Sequence, residues 1–145
     1  MKRLTGLIVY LSLGLSLFAC EMTFMLDGSR LVPGQSVVLT AGSTHVLSIV
    51  FAEDHGNCTL LPEKTVFLLN DEKWKEGKDY LPLVLKSPVV WKSVSSTRHE
   101  TSISFTAGSA GSAGSAGPAG SVVLEVIRDC DKKAGYDEKF MFVIK

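Results

Sequence analysis

The sequence predicts an all-β fold: an antiparallel sandwich of immunoglobulin type, about seven to eight strands, standing behind an N-terminal signal peptide. Short segments alternate apolar and polar residues at period two, the mark of a strand with one buried face. Turn-forming Gly, Pro, Asp and Asn separate these segments at short intervals. No long stretch carries the 3.6-residue periodicity of an amphipathic helix.

The chain starts differently. Lys2 and Arg3 precede an almost wholly apolar run from Leu4 to Phe18. A basic start and an apolar stretch of that length read as a signal peptide. The run falls short of the roughly 20 residues that a spanning helix needs. Cleavage after Ala19 by an ordinary signal peptidase fits poorly, because Leu17 occupies a position that favours a small side chain. Leu17-Phe18-Ala19-Cys20 resembles instead the lipobox of bacterial lipoproteins, with Phe18 departing from the usual small residue. That resemblance implies acylation of Cys20, which becomes the mature N-terminus, and a lipid-anchored protein of the bacterial envelope facing the periplasm or the cell surface. Two or more acyl chains give stable anchoring.

Residues 20–145 are expected to form one domain, large enough for a real core. Losing Lys2 and Arg3 from the 15 basic residues leaves 13 against 15 acidic ones, interspersed in sign. A nucleic-acid partner would need a basic face, so none is expected. The chain is expected to be a monomer.

The strand segments follow in order. Met22–Leu26 runs into the Asp27-Gly28 turn, and Ser36–Ala41 follows Pro33-Gly34. His45–Ala52 puts Leu47, Ile49 and Phe51 on one face. Thr65–Leu69 is a continuous apolar run, and Tyr80–Leu85 and Val89–Val94 flank Lys86-Ser87-Pro88. Glu100–Thr106 alternates strictly, with Thr101, Ile103 and Phe105 on one face. Ser121–Arg128 aligns Val122, Leu124 and Val126, and Lys139–Ile144 aligns Phe140, Phe142 and Ile144. Between two of these strands lies GSAGSAGSAGPAG, residues 108–120, a flexible low-complexity insert expected to form a long loop at one end of the domain. Asn70–Lys78 reads as a polar connection. Trp91, inside an apolar segment, is expected in the core, and Trp74, among charges, at the surface.

Chemistry is sparse. No Gly-x-Ser-x-Gly, no phosphate-binding Gly loop and no closed zinc spacing occurs, so no catalytic residue, cofactor or metal is expected. Two weaker metal readings exist, which would make the domain a metal-binding periplasmic module. One uses Glu53, Asp54 and His55. The other is the acidic group Asp129, Asp131, Asp137 and Glu138 around Gly135, where Lys133 and Ala134 break the calcium-loop pattern and Lys132 and Lys133 offset the charge. With Cys20 assigned to lipid, Cys58 and Cys130 remain as an even pair in an exported protein, which predicts a disulfide.

From Ser36 to Lys145 the chain resembles the chagasin family, immunoglobulin-fold inhibitors of papain-like cysteine proteases. Residues 97–107 (TRHETSISFTA), 119–128 (AGSVVLEVIR) and 138–145 (EKFMFVIK) carry the resemblance, with Ser36–Phe51 similar to the family's opening strands. The inhibitory motifs differ. Asp54-His55-Gly56-Asn57-Cys58-Thr59 stands where the family has Asn-Pro-Thr-Thr-Gly, and Ser95-Ser96-Thr97 replaces a Gly-rich loop. Arg128-Asp129-Cys130 replaces Arg-Pro-Trp, so only Arg128 matches. The resemblance implies that the first and last of these loops lie side by side, which would bring Cys58 and Cys130 together. It also implies a protein partner, a papain-like protease in the first instance, met by loops 53–59, 94–99 and 128–137. Asp54, His55, Gly56, Asn57, Thr59, Ser95, Ser96, Arg128 and Asp129 are the contact residues this implies. The alternative is a structural or adhesive envelope lipoprotein without inhibitory activity.

Overall fold

Period-two alternation becomes strand wherever one face can be buried, and here two sheets supply each other's cover. The computed structural model describes residues 20–53, 58–108, 120–131 and 135–145. Residues 1–19, where the signal peptide is expected, residues 54–57 with Asp54, His55, Gly56 and Asn57, residues 132–134 and most of the Gly-Ser-Ala insert lie outside them. One sheet contains β1 (Glu21–Leu26), β2 (Ser29–Leu31), β4 (Thr44–Ala52), β7 (Leu83–Leu85), β8 (Lys92–Ser95) and β9 (Arg98–Ala107). Its order is β2-β1-β4-β9-β7, with β8 pairing along the same edge of β9. The second sheet has β3 (Ser36–Leu39), β5 (Val66–Leu69), β6 (Glu72–Lys73), β10 (Ser121–Arg128) and β11 (Tyr136–Ile144), in the order β3-β11-β10-β5-β6. The fold is an all-β sandwich, as the sequence predicts. One pair departs from the antiparallel expectation: β3 runs parallel to β11, with Leu39 opposite Ile144.

The faces read from alternation are the buried ones. Leu47, Ile49, Phe51, Ile103, Phe105, Val122, Leu124, Val126, Phe140 and Phe142 are all fully enclosed. Aromatic rings join the sheets: Phe24 meets Phe140 at 4.6 Å between centroids, and Phe105 meets Phe142 at 6.5 Å. Such pairs add to simple area burial.

Two short strands escaped sequence analysis, and both come from tight turns. Asp27 and Gly28 both take positive φ, as do Asn70 and Asp71. Two consecutive left-handed residues make the turn whose twist matches a two-residue hairpin. The chain therefore doubles back into β2 after Leu26 and into β6 after Leu69, where Leu69 faces Glu72. This second hairpin corrects the reading of Asn70–Lys78 as a connection and of Trp74 as a surface residue. Trp74 is buried, its indole Nε1 donating to the Leu83 carbonyl at 2.8 Å and its ring edge-on to Phe105. Trp91 lies outside β8 and is only half-buried against the core.

The strand registers define two ends. Glu21 faces Ala52, and Ala52 faces Arg98, so the start of β1, the exit of β4 and the β8–β9 turn share one end. Arg128, opposite Tyr136, brings the β10–β11 connection to it. Ala107, Ser121, Ile144 and the turns after β1 and β3 lie at the other end, where Gly108 and Gly120 begin and end the insert.

Candidate functional site at the Cys20 end

Arg128 organises this end. Its side chain is buried, an uncommon place for a guanidinium unless its donors are satisfied. Nη1 donates to the Leu61 carbonyl at 2.9 Å and Nη2 to the Leu60 carbonyl at 2.6 Å. The guanidinium also lies over the Phe51 ring, 4.1 Å from its centroid. That stacking suits a planar cation and replaces part of its lost hydration. The arrangement ties the 58–61 segment to the last residue of β10.

Arg128 Nη2 also reaches Cys58 Sγ at 3.8 Å. Cys58 Sγ, Cys130 Sγ and a carboxylate oxygen of Asp131 all lie within 4.8 Å of one another. Thr59 donates its hydroxyl to Asp131 at 2.7 Å, linking the two loops a second time. Cys58 and Cys130 therefore meet, 72 residues apart in sequence, but no bond joins their sulfurs: the expected disulfide is not formed, and both residues are half-buried thiols. Cys20 stands close by. It shares with Met22, Phe51, Arg128, Asp129, Cys130 and Tyr136 the wall of one small recess. Burial, with the Glu138 charge behind it, pushes the Tyr136 phenol well above its ordinary range, so Tyr136 stays a neutral wall there.

The β8–β9 turn joins the same end. The Glu53 amide donates to the Thr97 carbonyl at 2.8 Å, and the Glu53 carboxylate lies 3.5 Å from His99 Nε2. His99 in turn stacks beside Phe51. Ser95 and Ser96 are exposed at this turn, as is Asp129 beside Arg128. The three loops singled out in the sequence thus share one end, to the extent that they are described. Of the acidic group around Gly135, Asp137 and Glu138 belong to β11, and Asp129 and Asp131 to the segment that follows β10. In the other weak metal reading, Asp54 and His55 lie outside the described residues.

The far end carries an arrangement that sequence reasoning missed. Ser43 Oγ lies 2.6 Å from His45 Nε2, and His45 Nδ1 lies 2.6 Å from Asp27 Oδ2. The connectivity is that of a nucleophile relay. The hydrogen bonds argue for a latch. Ser43 Oγ also donates to the Thr40 carbonyl, which commits the hydroxyl to its own turn. The amides of Gly42 and Ser43 already donate to Ala107 and Thr40, which leaves them no role in stabilising an oxyanion. Burial pushes the Asp27 carboxyl up, but the hydrogen bonds from His45 and from the Val46 amide outweigh it and hold the group below its ordinary value.

A third feature is an open groove of about 540 Å³ between the β5–β6 hairpin and residues 88–91, lined in part by Trp74, Trp91, Val89 and Lys75. The buried Thr65 hydroxyl on its wall has no partner among the described residues.

No protein-family model matches this chain, and a search of the curated proteins finds no match. Among the described residues no helix is long and apolar enough to cross a membrane.

Proposed function

We propose that this chain is an exported lipoprotein, tethered through acylated Cys20, whose β-sandwich binds a protein partner and catalyses nothing. The carrying observation is the gathering of the 58–61 segment, the Ser95–Thr97 turn and the Arg128–Asp131 segment at one end around buried Arg128. A loop platform fixed before binding avoids ordering costs when it meets a partner. The likeness to chagasin-type inhibitors makes papain-like proteases the first partner class to test.

The position of the anchor adds a constraint. β1 begins at Glu21, immediately after Cys20, so no spacer separates the acylated residue from the sandwich. Tethering at Cys20 turns the loop platform toward the bilayer, and Leu61 in the 58–61 segment is exposed. A partner held at the same membrane can reach this platform from the side; one diffusing freely meets the far end first.

Mass spectrometry of the native N-terminal peptide tests the tether: a diacylated Cys20 is expected, and an unmodified Cys20 would make the protein simply secreted. Titration of the detergent-purified chain against a panel of papain-like proteases tests the partner class, with tight, saturable inhibition expected. No inhibition across the panel would favour the second reading, a structural or adhesive envelope lipoprotein. One observation already favours that reading: Arg128, the residue that matches the family's last-loop motif, is engaged inward with Leu60, Leu61 and Phe51.

A further inference from the structure

We propose that Cys58, Cys130 and Asp131 form a zinc-type metal site, with two thiolates and one carboxylate as ligands and a fourth position open to water. The three donor atoms converge within 4.8 Å of one another from two loops that Arg128 and Thr59 hold together. In a tetrahedral site with zinc–sulfur bonds of about 2.3 Å, two thiolates stand roughly 3.8 Å apart, within the observed span. A disulfide needs a separation of about 2 Å and matching side-chain dihedrals. A spacing bounded by 4.8 Å thus admits the thiolate separation of a metal site.

The surroundings suit such an ion. Two thiolates select borderline and soft cations over magnesium or calcium, and three protein ligands with an open position are a common zinc arrangement. A dication against two thiolates and a carboxylate leaves one net negative charge, and the Arg128 guanidinium beside Cys58 offsets it. Thr59 donates to Asp131 and so fixes which way that carboxylate faces, the part that outer hydrogen bonds play around bound metals. Arg128 is itself immobilised by two carbonyls and the Phe51 ring, so the frame exists before the ion arrives. Binding displaces both thiol protons to solvent.

Cobalt(II) reports on this site directly, because thiolate ligation gives sulfur-to-cobalt charge-transfer absorption. The full chain, purified in detergent and reduced with a phosphine, is expected to take up one cobalt per chain with such bands, and zinc should displace it. Cys58→Ser and Cys130→Ser should each abolish the bands, whereas Cys20→Ser should leave them. Asp131→Asn should weaken cobalt binding at least tenfold and Thr59→Val by about tenfold. Circular dichroism identifies any variant that fails to fold, and a second readout covers that case. In the unaltered chain, zinc should protect Cys58 and Cys130 from alkylation. Absence of the bands in the reduced chain, their persistence in both serine variants, or alkylation indifferent to zinc would overturn the site. A native mass two hydrogens below the reduced one, mapped to a Cys58–Cys130 peptide pair, would overturn it in favour of a disulfide.

Discussion

The two ends of the sandwich use their polar side chains in opposite ways. At the far end, Asp27, Ser43 and His45 come from two neighbouring turns and satisfy one another and nearby backbone. The hydrogen bonds close the end off. At the Cys20 end, one buried arginine satisfies the loop carbonyls, and the sulfurs and carboxylate of three other residues come together at its edge. A triad-like geometry is therefore no sign of chemistry by itself. What matters is whether the donors and acceptors in it are already committed to holding the chain.

The largest effect expected from breaking this contrast is at Arg128. Arg128→Met keeps much of the apolar stem but orphans the Leu60 and Leu61 carbonyls and loses the stack on Phe51. It should destabilise the fold by about 3 kcal/mol in a urea titration. Arg128→Lys keeps the charge without the planar fork, and should lose about half as much. If the methionine variant melts like the parent, the end is not organised by this residue.

At the far end the comparable test is a glycine. Gly120 has φ +90°, and a Cβ there would come within 2.8 Å of the Ile144 carbonyl oxygen, where β11 closes. Gly28 has φ +80° with nothing within 4 Å of an added Cβ. Gly28→Ala should cost about 1 kcal/mol from backbone conformation alone. Gly120→Ala should cost about 1 kcal/mol more, because the carbonyl must move. Equal losses would show that the close approach at Ile144 is relieved without cost.

The fold was legible because alternation reports which face is buried. Glu100–Thr106 and Ser121–Arg128 place their apolar residues in the core as period two requires. What could not be read is where short segments fold back. Trp74 looked exposed among Lys73, Lys75 and Glu76, yet the Asn70-Asp71 turn swings it inward to Leu83 and Phe105. Trp74→Phe leaves the Leu83 carbonyl without its donor and should cost about 1.5 kcal/mol, read from the denaturation midpoint. The candidate site was half legible. The cysteine count marked Cys58 and Cys130 as a pair, but Asp131 and the inward turn of Arg128 depend on side-chain geometry that spacing does not encode. Ser43, His45 and Asp27 gave no motif because the carboxylate comes from a separate hairpin.

The smallest effect concerns that latch, and it carries a sign. The Asp27 carboxyl titrates below its ordinary value in the folded chain, so it favours folding once ionised. Its contribution is complete above the unfolded value, near pH 4, and disappears as pH falls through the folded value. Asp27 is half-exposed, so solvent screening keeps the contribution to about 0.5 kcal/mol. Asn tolerates the same positive φ and can still accept from the Val46 amide, so Asp27→Asn isolates the charge. The variant should be slightly less stable than the parent at pH 6, and the two should converge as the pH falls below 4. A difference that grew on acidification would mean that the carboxylate opposes folding, and the latch at the far end would have to be held by Ser43 and the turns alone.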